Sequence, residues 1–299
     1  MSETTQAPVR QVREVHGELV EPGATQGLME VFRRRYLLKL LVERELAARY
    51  EGSALGFVWS YINPLSQFFI YWFVMGKIMG AHGDIQNYPL HIFSALIATH
   101  FFTETFAAGT RSIVRNKSLM NRMAMPREMF PVAAMVVSLV HVGPQLVILL
   151  VACFASGWHP ELAGVVALVL ALLLAMILGT ALALLFSVAN VFWRDFGSFV
   201  NILTNYIRWG VPMVYSWAMV AHSLPRWLEE VYLADPVAIA VLLMQRAFWV
   251  GSVHGDAVEI AMPDHLFLRA LVAVLVSVVA LVIAQRVFSK FDRKLVDSL

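Results

Sequence analysis

Cysteine occurs once in the 299 residues, as Cys153, which excludes an internal disulfide framework and any site built on cysteine pairs. It sits inside an apolar run, where it reads as a small buried hydrophobe. Charge is scarce as well. Asp, Glu, Lys and Arg supply 15% of the residues against 59% hydrophobic, and the mean hydropathy is +0.67. A soluble domain carries about 25% charged residues, so the composition points to a membrane protein.

Catalytic signatures are missing too. The only Gly-Lys pair, Gly76-Lys77, has Tyr71 where a phosphate-cradling loop needs its first glycine and Ile78 where it needs Ser or Thr. There is no Gly-x-Ser-x-Gly elbow, His-Glu-x-x-His helix or paired-aspartate metal clamp. The chain is therefore expected to bind no cofactor or metal and to catalyse nothing alone. Residues 1–27 are polar and lack an apolar core, which excludes a cleaved secretory signal and predicts a disordered cytosolic tail.

What is present is long apolar runs. Ala54 to Gly76, Met129 to Gly157 and Leu162 to Trp193 are uncharged and of spanning length, which takes about 20 residues. Tyr88 to Thr110, Phe196 to Ser216 and Leu266 to Gln285 also qualify, interrupted by Glu104, Arg208 and Arg269 respectively. Six spans over 54–299 follow. Basic residues fix the orientation, because short cytoplasmic loops retain Lys and Arg. Arg33, Arg34, Arg35, Lys39, Arg44 and Arg49 precede the first span, Arg111 to Arg127 follow the second, and Arg286, Lys290, Arg293 and Lys294 end the chain. The outer connections Trp158 to Glu161 and Trp217 to His265 are neutral or acidic, the latter through Glu229, Glu230, Asp235, Asp256, Glu259 and Asp264. Only the Arg194-Asp195 turn is charge-balanced. Both termini are placed in the cytosol and the chain in the cytoplasmic membrane.

Residues 28–53 are expected to form an interfacial helix, anchored to anionic headgroups through Arg33 to Arg35. Between spans five and six, residues 217–265 are punctuated by Pro225, Pro236 and Pro263. Short gate helices in or dipping into the outer interface are predicted, with Trp217, Trp227, Tyr232, Phe248 and Trp249 at headgroup level. Gly52 and Gly56, four apart, suggest close helix packing.

Three stretches resemble signatures of the ABC-2 permeases that export polysaccharides, the family of O-antigen, capsule and teichoic-acid permeases. Tyr50-Glu51-Gly52-Ser53-Ala54-Leu55-Gly56-Phe57-Val58-Trp59, with Pro64 beyond, is similar to the family's approach to span one. Asn116-Lys117-Ser118-Leu119 followed by Pro126-Arg127-Glu128 resembles its cytosolic stretch, and Asn190 to Asp195 its Asn-x-x-x-Arg-Asp turn. Val211-Pro212-Met213-Val214-Tyr215 and Ala234-Asp235-Pro236 depart from the family's usual outer motifs. The texture looks most like the branch exporting the lipid-linked galactan of mycobacterial-type walls. The resemblance implies an all-α integral membrane fold of the ABC-2, type V exporter architecture. It implies a homodimer with two cytosolic ATPase subunits, which bind ATP and magnesium. The substrate is a polyprenyl-pyrophosphate-linked polysaccharide, and no nucleic-acid partner is expected.

The coupling segment, residues 111–128, is expected to rest on the ATPase through Arg115, Asn116, Lys117, Leu119, Arg122, Pro126 and Arg127, against the alternative of plain cytoplasmic retention. For the channel, Asn201, Thr204, Asn205 and Arg208 form one helical stripe, and His100 and Glu104 share a face of span two. An arginine inside a span costs at least about 2.5 kcal/mol without a partner or water, so Arg208 meets either substrate or an acid such as Glu104. Phe68, Phe69, Trp72 and Tyr215 complete the channel candidates; aromatic planes stack on sugars but also simply pack. A small-drug ABC-2 exporter, a proton-coupled transporter relaying through Glu104 and His100, and a membrane-embedded glycan-transferring enzyme are the rival readings. The missing acidic metal site argues against the last.

Overall fold

The computed structural model describes residues 27–80, 85–120, 125–253 and 262–298. Arg122, Asp256, Glu259 and nearly all of the expected tail lie outside them. All regular elements among the described residues are helical. Two helices, α1 (Leu28–Arg33) and α2 (Arg35–Tyr50), break at Arg34 and lead to α3 (Trp59–Ile70), which widens into π-type winding over Tyr71–Ile78. Next come α4 (Tyr88–Arg115), α5 (Lys117–Met120), α6 (Met129–Ala155), α7 (Leu162–Phe192) and α8 (Phe196–Gly210). Three short helices, α9 (Trp217–Ser223), α10 (Arg226–Leu233) and α11 (Pro236–Phe248), precede the long α12 (Leu266–Ser298).

Helices α6, α7 and α12 are long and apolar enough to cross a bilayer, and the bent pair α10–α11 makes a fourth if counted as one broken span. The apolar residues Leu268, Leu271, Leu275 and Val279 of α12 are exposed, a surface suited to lipid. Helix α4 carries more polar residues than these three and is the most enclosed, packing against α6, α7, α8 and α11. Three of its buried hydroxyls are satisfied within the helix: Thr99 donates to the Ala95 carbonyl, Thr103 to Thr99 and Thr110 to Phe106, each at 2.8 Å, whereas Thr105 Oγ1 meets no partner among the described residues. Such back-bonding lets polar residues sit where no water reaches.

Two expected spans take a different form. Helix α8 has 15 residues, about 22 Å at 1.5 Å per residue, and ends at Gly210 rather than Ser216. Pro212 cannot continue a helix. The freed carbonyls are met from other elements, Pro212 by Gln245 Nε2 at 2.7 Å and Val214 by Tyr88 OH at 3.0 Å. The first expected span is a 12-residue helix with a π-wound extension.

The segment 217–253 is packed into the helical core. Asp235 caps α11 by accepting the Val237 amide at 2.9 Å, with Pro236 at the first helical position. The chain bends by 82° between α10 and α11. Helix α11 is buried from Val237 to Gln245, against α4 and α7. Trp217, Phe248 and Trp249 are likewise buried in that core, while Trp227 is exposed. Gly52 and Gly56 also differ from expectation: both have positive φ, 75° and 50°, with no side chain or backbone near enough to pack. They turn the chain between α2 and α3.

The close packing falls elsewhere, at Gly109 of α4 and Gly179 of α7. A Cβ on Gly109 would lie 2.4 Å from Ala183 Cβ, and one on Gly179 2.9 Å from Thr105 Cγ2. Gly109→Val is expected to destabilise the protein by about 1–3 kcal/mol, the usual cost of overpacking. Thermal unfolding in lipid nanodiscs checks this, and an unchanged midpoint would contradict so tight an α4–α7 contact.

Candidate functional site

Four helices bring polar residues to one cavity of about 510 Å³. The last turn of α2 supplies Arg49 and Tyr50, α3 supplies Ser60, Asn63 and Gln67, α4 supplies His100 and Glu104, and α6 supplies Ser138, His141 and Gln145. The α3 and α6 sets fall at i, i+3 and i+7, so each is a stripe on one helix face.

The guanidinium of Arg49 is fully committed. Nη2 pairs with Glu104 Oε1, and Nη1 reaches His141 Nδ1 at 2.9 Å. A guanidinium only donates, so Nδ1 accepts and the proton of His141 sits on Nε2. Nε2 then donates to Tyr50 OH at 2.9 Å, leaving the phenol to donate to Ser60 Oγ. Gln145 Nε2 donates back to the His141 carbonyl at 3.0 Å. One chain of contacts thus ties α2, α3, α4 and α6 around the cavity.

A second cavity of about 250 Å³ lies beside it, walled by Arg44, Glu45, Arg115 and Asn116. It shares Arg49, Glu104 and Ser138 with the first, so the Arg49–Glu104 pair forms part of the partition between them. Below it, Asn116 accepts from Arg44 Nη1 at 3.0 Å and donates to Glu45 Oε1 at 2.9 Å, while Arg115 pairs with Glu45.

The expected coupling residues divide accordingly. Arg115 and Asn116 fasten the end of α4 to α2, and Pro126 is buried. Arg127 is mostly buried and paired with Asp292 of α12 at 2.6 Å. Beside it, Gln285 of α12 donates to Glu128 Oε1 at 2.9 Å; burial pushes the Glu128 carboxyl above its ordinary pKa. Lys117 is exposed, and Leu119 is half-buried against the cluster of Val31, Leu41 and Met129. Arg122 is outside the described residues.

The channel candidates scatter. His100 and Glu104 line the large cavity, but Glu104 pairs with Arg49 rather than Arg208. Arg208 is half-buried and has no carboxylate within ion-pair reach among the described residues. Asn201 accepts from Arg111, Asn205 is exposed, and Thr204 bonds the Asn201 carbonyl. Arg111, Arg194 and Asn201 line a cleft of about 540 Å³, on the side that the sequence assigns to the cytosol. Asn190 holds that corner, accepting the Gly197 amide at 2.9 Å and donating to the Thr110 carbonyl at 3.3 Å. Phe68 packs on Phe93 and Trp72, and Phe69 is exposed beside Phe73. Tyr215 donates to the Gly210 carbonyl at 2.7 Å and so closes the end of α8. Sequence reasoning missed Arg49 as a site residue, together with Tyr50, His141 and the α3 and α6 stripes.

Long apolar helices enclosing polar cavities are an architecture suited to a membrane transport subunit. The chain belongs to the ABC-2 type transporters, whose sequence profile matches residues 36–249. It is similar to the O-antigen export system permease protein RfbA of Myxococcus xanthus, 28% identical over 274 residues that cover 90% of this chain and 98% of that one. RfbA of Klebsiella pneumoniae is 24% identical over 224 residues, 75% of this chain and 84% of that protein. The polysialic acid transport protein KpsM of Escherichia coli is 21% identical over 221 residues, 74% and 84% respectively.

If Arg49 and Glu104 stabilise one another across α2 and α4, their losses are not additive. Arg49→Ala and Glu104→Ala are each expected to lower the unfolding midpoint, and the double variant to lose less than the sum, with a coupling of about 0.5–3 kcal/mol. Additive losses in thermal unfolding would show the pair to be energetically idle.

Proposed function

We propose that this chain is the membrane-spanning subunit of an ATP-driven exporter that carries a polyprenyl-pyrophosphate-linked polysaccharide outward across the cytoplasmic membrane. The observation that carries this reading is the near full-length similarity to an O-antigen export permease, 98% of whose length is matched. Two copies of the chain form the permease, each with six membrane crossings and both termini in the cytosol. In that topology the π-extended α3, α4, α6, α7, α8 with the outer segment, and α12 are the crossings. Exposed Tyr206, Trp209 and Phe199 on the short α8 give a surface for the second copy.

A separate ATPase supplies the energy, binding ATP and magnesium and pressing on residues 111–128. Lys117 and Leu119 make the docking contact, while Arg115, Asn116 and Arg127 pass the movement to α2 and α12. Arg208, and Arg111 and Arg194 in the cytosolic cleft, offer positive charge that no carboxylate in ion-pair reach cancels among the described residues, suited to a diphosphate group. A cell-wall galactan or O-antigen-like glycan fits the resemblance. The proton-relay alternative loses ground because Glu104 is occupied by Arg49.

Depleting the chain from cells is expected to leave the lipid-linked glycan on the cytosolic side of the membrane. An ATPase partner unable to hydrolyse ATP is expected to give the same accumulation. Export that persists in either strain but stops when the proton gradient collapses would overturn the reading. Lys117→Glu is expected to reach the membrane in normal amount yet reduce co-purification of the ATPase. Undiminished co-purification would move the docking contact away from α5.

A further inference from the structure

The large cavity between α2, α3, α4 and α6 has a chemistry that selects its occupant. Gln145 is 2% exposed, and its Oε1 meets no donor among the described residues. Gln67 Oε1, on the facing helix α3, is buried and equally without a donor. A buried acceptor left alone is costly, and an incoming O–H group removes that cost. A carboxylate has no proton to offer at neutral pH and meets these oxygens with repulsion.

Charge points the same way. Arg49 faces the cavity, but its positive charge is balanced by Glu104 and its second nitrogen donates to His141. His141 is fixed as an acceptor at Nδ1 by that contact, so it adds no positive charge. The walls are rich in hydrogen-bonding groups and contain no unmatched cation. Trp59 is among the lining residues and is 42% exposed, and an indole is a surface on which the C–H face of a pyranose ring stacks. A volume of about 510 Å³ lies within the range of small-molecule sites, roughly 300–1,000 Å³.

We infer that this cavity, inside a single subunit, is a binding subsite for neutral, hydroxyl-rich saccharide units, read by the Gln67 and Gln145 carboxamides, and that carboxylate-bearing sugars are rejected from it. The inference rests on the polysaccharide-export reading and adds to it a preference for an uncharged glycan. It also separates two tasks: anionic recognition falls to Arg208 and the cytosolic cleft, and sugar recognition to the cavity.

The test is saturation-transfer NMR on the full-length chain with its ATPase in lipid nanodiscs free of glycoside detergent. The probes are galactobiose and digalacturonate of the same linkage, which differ in charge and little in shape. Galactobiose is expected to give a transfer signal, and digalacturonate one about five-fold weaker or less. Gln145→Leu and Gln67→Leu are each expected to weaken galactobiose binding by about five-fold or more, because each removes one acceptor that the sugar hydroxyls satisfy. No galactobiose signal, equal signals from the two probes, or signals indifferent to both substitutions would overturn the subsite. If a substituted protein does not fold, the comparison of the two probes on the native chain decides. Export in cells is measured separately: intact ATP-dependent export without sugar binding removes the subsite and leaves the exporter reading standing, whereas export without the chain removes that reading whatever the binding result.

Discussion

The half of the fold around α2 turns on one contact, the pairing of Arg49 with Glu104. A carboxylate part-way along a buried helix is costly unless it meets a cation, and a cation near the bilayer has the same need. Bringing the two together draws the end of α2 inward against α4. Tyr50 then reaches His141 and Ser60, which fastens α6 and α3 to the same point. The large cavity exists because four helices meet around these polar groups instead of closing on apolar ones.

Helix α4 is the common element of both ends of the molecule. At its N-terminal end, His91 contacts Gln245 of α11 at 3.0 Å, and Tyr88 bonds the turn after α8. At its C-terminal end, Asn116 and Arg115 join it to α2, and Asn190 joins it to the α7–α8 corner. Packed contacts therefore run continuously along α4 from the 111–120 end to the α9–α11 end. Arg127 and Glu128 give a parallel route into α12. On the outside, Arg269 of α12 grips Glu230 of α10 at both oxygens, 2.8 and 2.9 Å, and Arg246 meets Glu161 at 3.0 Å.

The long helices α6, α7 and α12 were legible in the sequence because apolar length alone decides them. Helix α8 was overread: its apolar run continues past Gly210, but Pro212 ends the helix and its carbonyls find partners far along the chain. Arg49 looked like one more residue holding a loop on the cytoplasmic side, since nothing local distinguishes a charge that faces headgroups from one that turns toward a carboxylate 55 positions away. The cavity stripes Ser60, Asn63, Gln67 and Ser138, His141, Gln145 carried a readable signal, a seven-residue polar face. Averaged hydropathy hides three polar residues among many apolar ones. Gly52 and Gly56 show the opposite trap, a spacing that suggests packing where the backbone needs positive φ.

The central claim is that ATP hydrolysis by a partner moves a lipid-linked glycan through a permease built from this chain. The most direct measurement reconstitutes the chain and its ATPase in proteoliposomes containing the lipid-linked glycan and follows its transfer to the leaflet protected from an added glycosidase. The account predicts transfer that requires hydrolysable ATP and is indifferent to collapse of an imposed proton gradient. Transfer without ATP, or transfer lost with the gradient while ATP is present, would contradict it.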